Sequence, residues 1–377
     1  MSKAAELAAL IGGQSSLAMP NMIINGDFRV AQRQTTLASI TSGNNLQVDR
    51  WKFQPSGHGT WTLSQNSSTG LSGFETSTKM LCTSNGGTPA GADFVILFYN
   101  IEGYDTQRLK FGQSDAERFT ISWYVKSNKT GTGIIEAQTT ESTASATVET
   151  SKTYTISQAN TWEFKSVTFP ANTDHAQATA NKTTSTGLAL RWVLDTGTNL
   201  TSGTAQTTWA NQTTANRWVG QDLGIGRADD DYMEMTGLQV DIGDVAQPFK
   251  YESFEQNLAR CQRYYFQVGK FPSSSGYGVL GTFATADTSS GFTLVDFPVY
   301  MRAEPTFSHS GTASDYSLYI TNSHKTGSGG FSASSGDILK SMYVYTEHSG
   351  GITAGNAGHL TTANNNTDAF LGFSAEL

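Results

Sequence analysis

The chain has 377 residues, so more than one hydrophobic core is expected. Charged residues make up only 15% of it, and 32 acidic against 24 basic side chains give a formal net charge of −8 at pH 7. A nucleic-acid-binding surface needs clustered Lys and Arg, which this sequence lacks, so nucleic acid is excluded as a partner.

The first 19 residues predict a short helix and a tether. Residues 3–11 place Leu7, Leu10 and Ile11 on one face, and Gly12–Gly13 supplies a stop. A helix this short is marginal alone in water, so we expect it to anchor the chain to another copy or another protein. The alternative is a frayed terminus. Glu6 interrupts the apolar run that a signal peptide needs, so synthesis in a bacterial cytoplasm is expected.

Residues 20–250 read as short strands separated by Gly, Asn, Ser and Thr, which predicts a β-sandwich of two facing sheets. The clearest strands are Phe119–Val125 and Leu188–Leu194, where apolar residues alternate with the period of two. The apolar parity switches within Trp162–Phe169 and again around Gly237, and each switch predicts a β-bulge.

A strand, a proline and a helix follow at residues 235–267. Alternating Leu238, Val240 and Ile242 predict the last strand of the sandwich, and Pro248 ends it. A connecting helix is predicted over about 252–266, within a linking segment 251–267. Its apolar stripe recurs at i, i+4, i+7 and i+11 and consists of Phe254, Leu258, Cys261 and Tyr265. The stripe could pack on its own domains, or three copies could seat it on a three-fold axis as an oligomer interface.

Residues 268–377 predict a second strand-rich domain. The candidate strands are Val279–Phe283, Phe292–Phe297, Tyr316–Ile320, Ser341–Tyr345 and Ala369–Phe373. The polar segments 321–330 and 350–366 are predicted to be long loops, and we place the partner-facing surface there. The fold class is therefore all-β, with two β-sandwich domains joined by a short α-helix.

Three segments together resemble a family of bacteriophage tail-fibre and head-fibre structural proteins, with the pattern NxxINGDFxVxQR…DRW…PFxYxSxxxxLxxCQRYY. The last segment matches at Gln239, Gly243, Ala246, Pro248, Phe249, Tyr251, Ser253, Leu258, Cys261, Gln262, Arg263, Tyr264 and Tyr265. The first covers Asn21–Arg33 and Val48–Trp51, and Phe297–Thr306 resembles a further turn of the same proteins. Gln34 and Val240–Asp241 depart from the pattern, at positions where a loop or a solvent-facing site is expected.

The resemblance implies a jelly roll like that of carbohydrate-binding modules for residues 20–250, and a homotrimer located in the virion. Residues 1–19 would bind other virion proteins, and residues 268–377 would form a distal domain for host attachment, with a host surface glycan as one candidate receptor. The alternatives are a free carbohydrate-binding module and a polysaccharide depolymerase.

The sequence contains few motifs for chemistry. Six scattered histidines show no zinc spacing, no GxSxG elbow precedes a helix, and no full dinucleotide motif occurs, so a non-enzymatic protein is expected. Paired carboxylates of a glycosidase cannot be recognised by spacing. Asp229, Asp230 and Asp231 could bind calcium, although a solvated turn is the simpler interpretation; no other cofactor is expected.

Trp51, Trp61, Trp209 and Trp218 could form sugar-stacking platforms. No apolar run is long enough for membrane insertion. Cys82 and Cys261 predict two buried thiols rather than a disulfide.

Overall fold

The computed structural model describes residues 20–142, 146–270, 276–335, 337 and 339–377. The chain divides into two compact units, Met1–Asn257 with Leu377, and Leu258–Glu376. The regular secondary structure described in both units is mostly antiparallel strand, so the protein is all-β. Across the described part of the chain, no helix is both long and apolar enough to cross a membrane.

The described residues of the first unit contain thirteen strands in two sheets. The strands are β1 Thr36–Ile40, β2 Asn45–Leu46, β3 Trp51–Ser56, β4 Thr60–Asn66, β5 Ser77–Ser84, β6 Phe94–Glu102, β7 Phe119–Ser127, β8 Gly131–Thr140, β9 Thr147–Ile156, β10 Glu163–Phe169, β11 Thr186–Thr196, β12 Ala210–Asn211 and β13 Tyr232–Ile242. The order in sheet A is β1-β4-β5-β13-β7-β10, and in sheet B it is β12-β9-β8-β11-β6-β3-β2. A one-turn helix, α1, covers Gly103–Thr106.

Aromatic side chains from the two sheets meet in the core of the first unit. Trp123 on β7 lies 6.0 Å from Trp192 on β11, measured between ring centroids. Phe53 on β3 lies 5.3 Å from Trp61 on β4. All four rings are buried because alternate residues of each strand point inward. Aromatic residues of sheet A and sheet B therefore pack on one another in this unit.

One of the two predicted bulges is present. The pairing of β13 with β7 shifts between Thr236 and Gln239, and Gly237 between them has φ +65°, where a side chain is strained. The bulge predicted in β10 is wrong, because β10 pairs with β7 without a register shift. The parity switch there arises because Phe164 faces outward, 51% exposed, against the ring of Tyr124.

The second unit begins within helix α2, Phe254–Gln262, and nine strands lie in the part of it that the structure describes. These are β14 Tyr265–Gly269, β15 Val279–Thr285, β16 Ser290–Asp296, β17 Thr306–His309, β18 Tyr316–Ile320, β19 Ser323–Ser335, β20 Ser341–His348, β21 Ala357–Thr362 and β22 Phe370–Ser374. Six of them close a barrel in the order β15-β16-β20-β19-β18-β21, and β14-β22-β17 form a small sheet. The five predicted strands are all present.

The barrel replaces the second sandwich that we expected. The segments predicted as loops, 321–330 and 350–366, contain most of β19 and all of β21, the two strands that flank β18. Their Gly, Ser, Thr and His residues give no alternating hydrophobic pattern, so the strands could not be recognised from the sequence. Their backbones nevertheless pair with the neighbouring strands and close the barrel, which leaves no open sheet edge in it. The barrel core is filled by buried residues such as Phe283, Leu318 and Val344.

Candidate functional site

Three distant sequence segments, residues 21–33, 48–51 and 238–257, meet in the first unit at what we call the motif joint. The side chain of Asn21 links the first segment to strand β13. Its Nδ2 donates to the carbonyl of Leu238 (2.9 Å), and its Oδ1 accepts from the amide two residues further along (3.0 Å). Segments that are far apart in the sequence are thus hydrogen-bonded to one another in the first unit.

Asn25 organises the turn at the centre of the motif joint. It has φ +58°, a left-handed conformation that Asn tolerates better than most residues. Its buried side chain accepts from the amide of Val30 (3.0 Å) and donates to the carbonyls of Val30 (2.9 Å) and Asp49 (3.0 Å). One amide group therefore satisfies three backbone groups that would otherwise be buried without partners.

Trp51 fills the space beneath this turn. Its indole Nε1 donates to the carbonyl of Asn25 (3.0 Å). Its ring centroid lies 4.9 Å from that of Phe28, 4.8 Å from Tyr99 and 5.6 Å from Trp192. Trp51 is 1% exposed, so it is a core residue and cannot stack on a sugar. The other candidate platforms are also buried, which corrects the prediction for Trp61, Trp209 and Trp218.

The motif joint also holds the place where the chain leaves the first unit. The Oδ1 of Asn257 accepts from the amide of Asn25 (3.1 Å), and its Nδ2 donates to Asp27 (3.3 Å). Arg29 pairs with Asp27 (2.5 Å) and donates to the carbonyl of Glu252 (2.6 Å). Residues 21–30 precede the first strand of the unit and residues 249–257 follow its last strand, so the segments at the two ends of the strand series lie together.

The departure from the family pattern at Val240–Asp241 lies in this joint. Both residues are buried, so our expectation of a solvent-facing site is wrong. The Asp241 carboxylate accepts from Gln239 Nε2 (2.9 Å) and from the Gln247 amide (3.0 Å), and it pairs with Lys250 Nζ (3.0 Å). These bonds hold the turn after β13 against the strand.

The predicted interface stripe is only partly accessible. Helix α2 ends at Gln262, four residues earlier than predicted, and Tyr265 belongs to strand β14. Cys261 and Tyr265 are buried within the single chain, so they cannot contact another copy, and this part of the prediction is corrected. Phe254 is 47% exposed and Leu258 is half-buried. The predicted anchor lies outside the described residues: Leu7, Leu10 and Ile11.

The acidic run Asp229–Asp231 forms a turn rather than a calcium site. Asp229 accepts two hydrogen bonds from Asn85, from its amide and its side chain, both 2.7 Å. Buried Asp231 accepts from the amides of Gly226 (3.2 Å) and Ala228 (3.0 Å). Within the described ranges no three His, Cys, Asp or Glu side chains gather as metal ligands. Asp229 and Asp231 are thus bonded to separate protein donors, and the described residues show no ligand cluster that supports the calcium hypothesis.

A trough of about 690 Å³ lies on the outer wall of the barrel in the second unit. Its most prominent residues are Phe292, Leu294 and Tyr343, which are 39%, 44% and 44% exposed. The full lining is Thr282, Phe283, Ala284, Phe292, Leu294, Asp296, Ser334, Tyr343 and Ala357. A concave apolar surface of this size is typical of a ligand site.

Strand β16 explains why sequence reasoning missed the trough. The strand alternates so that Thr293 and Val295 face the barrel core, while Phe292 and Leu294 face outward. A hydrophobicity pattern assigns Phe292 and Leu294 to the core, whereas in the structure both face outward. Leu294 pairs directly with Tyr343 on β20. The signal in the sequence is that apolar residues occur at both parities of the strand, with Phe292 and Leu294 on one face and Val295 on the other, so an apolar face remains outside the core.

Two buried carboxyl groups form a polar cluster on sheet B. Glu136 accepts from Arg191 (2.9 Å) and, through both oxygens, from Arg217 (2.9 Å each). Burial alone would raise the pKa of Glu136, but the two guanidiniums outweigh it and lower the pKa. Burial raises the pKa of Glu149 to about 8, and the negative charge of Glu136 acts in the same direction. Glu149 therefore holds a proton at neutral pH.

This pair does not resemble an accessible acid and base. Glu136 is 0% exposed and Glu149 is 1% exposed. Glu149 accepts from Gln212 Nε2 (2.6 Å), a residue of the loop that follows β12. Because both carboxyl groups are covered and bonded to the protein, they join that loop to the sheet.

Comparison with known proteins gives structural likenesses only. No known family model and no curated protein matches this chain. The enzymatically active domain of tailspike protein 4 from bacteriophage CBA120 has TM-score 0.32 and 10% identity over 59% of this chain and 21% of its own. The CBM22-1–GH10 modules of Clostridium thermocellum xylanase 10B, complexed with xylohexaose, have TM-score 0.29 and 11% identity over 56% and 30%.

A third likeness is the family 11 carbohydrate-binding module of Clostridium thermocellum, in complex with a mixed-linked tetrasaccharide. It has TM-score 0.26 and 10% identity, over 56% of this chain and 97% of the module. The chain thus spans about a fifth of the tailspike structure and under a third of the xylanase structure. Because all three TM-scores are below 0.5, these likenesses carry no information on function.

Proposed function

We propose that this protein is a non-enzymatic structural subunit of a bacteriophage fibre or fibre-like virion appendage. In this proposal residues 1–19 attach it to the particle, and the second unit presents a surface for attachment to the host. The observation that carries the proposal is the motif joint. Segments about 190 residues apart resemble phage fibre proteins, and polar side chains of one bond to backbone groups of the other in a single buried feature. Chance matches would have no reason to meet.

The trough on the barrel supports the attachment role. A barrel without open edges gives a rigid support, and outward-facing Phe292, Leu294 and Tyr343 are costly to leave in water unless they bind something. The surface we propose for the host is therefore this barrel wall, to which segment 350–366 contributes Ala357 and segment 321–330 contributes no lining residue.

The first unit is proposed to be a jelly roll of the kind found in carbohydrate-binding modules. Its late strands return to the middle of each sheet: β13 lies between β5 and β7, and β11 lies between β6 and β8. Such crossings are typical of Greek-key sandwiches. Here the fold is proposed to act as a rigid module within the appendage.

We further propose a homotrimer with Phe254 and the half-buried Leu258 at the interface between copies. Helix α2 exposes Phe254 next to the motif joint, and an exposed aromatic residue on a short helix is a common anchor of an interface. Substituting Phe254 with Ser should weaken the trimer, while Tyr104→Ser, which removes an equally exposed ring on α1, should leave it intact.

Light scattering and virion labelling test the proposal together. A trimer of 40.5 kDa chains should scatter as a particle of about 120 kDa. Antibodies against the purified protein should label particles of the phage that encodes it. If the protein is a stable monomer and the antibodies do not label virions, the free carbohydrate-binding module is favoured. Shortening of host capsule or lipopolysaccharide chains on incubation with the protein would instead establish the depolymerase.

A further inference from the structure

We propose that the trough on the barrel wall binds an uncharged saccharide chain through ring stacking. This inference rests on the proposed attachment role of the second unit and names the chemistry of its ligand. The floor of the trough is made of small residues, Ala284 and Ala357, which pair across β15 and β21. Phe292 and Tyr343 rise beside this floor, so the surface is a channel with aromatic walls.

The aromatic residues form a continuous surface along the barrel wall. The ring centroid of Phe292 lies 5.5 Å from that of Tyr345 and 6.4 Å from that of Tyr343. Tyr343 and Tyr345 are two residues apart on β20 and therefore share its outer face. The apolar C–H face of a pyranose ring packs on such surfaces, and neighbouring rings can contact consecutive sugar units.

Polar groups at the rim suit hydroxyl groups rather than charges. Thr282 and Ser334 contribute hydroxyls, and Asp296 contributes a carboxylate that can accept from sugar hydroxyls. The lining contains no Lys or Arg, and Asp296 would repel an anionic chain. With the net charge of −8, these features favour a neutral saccharide over sialylated or uronate-containing chains.

The volume of the trough and its shape favour a saccharide over a second copy of the chain. Its 690 Å³ lies within the range of sites for small ligands, and the site is a channel across strands rather than a broad flat face. A stable protein interface needs about 800 Å² of buried surface on each partner, which a single channel does not supply.

Calorimetry on the full-length protein can test this inference with neutral hexasaccharides of glucose, galactose, mannose, rhamnose and N-acetylglucosamine, and with oligogalacturonate as the anionic probe. We expect saturable binding of at least one neutral hexasaccharide and none of oligogalacturonate. Phe292→Ser and Tyr343→Ser should each weaken binding at least about tenfold. Tyr300→Ser, a more exposed ring outside the trough lining, should not change it. Unchanged thermal melting will show that the variants fold.

The outcomes separate this inference from the proposed function. Failure of every neutral hexasaccharide to bind, or equal binding by the trough variants, overturns the saccharide site. A change of oligomeric state in Phe292→Ser without a change in saccharide affinity also overturns it, because the trough would then be a protein interface. Saccharide binding lost in the trough variants upholds the inference even if the protein is absent from virions, and that absence contradicts the fibre proposal alone.

Discussion

Substitution of Glu149 by Gln should make the first unit more stable at alkaline pH. Glu149 is 1% exposed and lies beside Glu136, which keeps its charge through Arg191 and Arg217. The two carboxyl groups hydrogen-bond to each other, so a protonated Glu149 donates to ionised Glu136. A Gln side chain supplies the same donor and has the same shape, but it cannot lose a proton.

The size and direction of this change in the free energy of unfolding follow from the pKa of Glu149. Burial, and then the charge of Glu136, raise that pKa from 4.5 to about 8. A carboxyl group with a raised pKa stabilises the folded state fully below its unfolded pKa, and that stability is lost as the pH rises through the folded pKa. At about 1.4 kcal/mol per pKa unit, the folded protein loses about 4–5 kcal/mol between pH 4.5 and pH 8 through this group.

Tryptophan fluorescence during urea unfolding measures this effect in the first unit alone, because all seven tryptophans lie between residues 51 and 218. The free energy of unfolding of Glu149→Gln minus that of the wild type should be near zero at pH 5 and rise to about 4 kcal/mol at pH 8.5.

Glu163→Gln provides the control for this experiment. Burial would raise the pKa of Glu163, but the hydrogen bond from Lys165 and two backbone amides lower it, so this group stays ionised from pH 5 upward. The free energy of unfolding of Glu163→Gln minus that of the wild type should therefore be constant over that range. If the same difference for Glu149→Gln is also constant, Glu149 and Glu136 do not share a proton.

Three further changes have defined outcomes. Asn25→Ala should cost the first unit about 3–5 kcal/mol in urea unfolding, because three buried backbone bonds are lost. Asn45→Ala should cost under about 1 kcal/mol, because Asn45 is half-buried and its two shortest side-chain bonds lie in an exposed turn. Cys82 and Cys261 should react with Ellman's reagent only after unfolding, because both are buried and burial raises the pKa of Cys82 to about 11; fast reaction in buffer would contradict this. Burial lowers the pKa of His348 from 6.5 to about 4, so the barrel should lose up to about 3 kcal/mol as the pH falls from 6.5 to 4, and His348→Asn should abolish that loss.

Much of the first unit could be predicted from local patterns. Phe119, Ile121, Trp123 and Val125 alternate along β7, and all four are fully buried. The bulge at Gly237 was visible because an extra residue reverses the parity of every later side chain. Such features depend on neighbours in sequence, which a single chain displays directly.

The second unit could be predicted only in part. Strands β19 and β21 are rich in Gly, Ser and Thr, and their pairing is decided by the edges of β18 and not by their own composition. The helical stripe likewise continued in sequence past Gln262, but Tyr265 enters strand β14, where it pairs with Ser374 near the end of the chain. A partner so distant in sequence overrides the local helical period.

The candidate sites were beyond sequence reasoning for a related reason. Glu136 and Glu149 are thirteen positions apart, and only the pairing of β8 with β9 brings their outward faces together. Phe292 and Leu294 have the spacing of core residues, and their exposure follows from which face of β16 the barrel closes around. Each case needs the register between strands, which composition and period do not encode.

The motif joint gives the first unit the geometry of an inserted domain. Residues 21–30 and 249–257 are bonded together by Asn25, Arg29 and Asn257, so the two ends of the sandwich are held at one place. A domain whose ends meet can be inserted into a chain without displacing what precedes or follows it. The strands between these two ends have only to fold and keep the ends together.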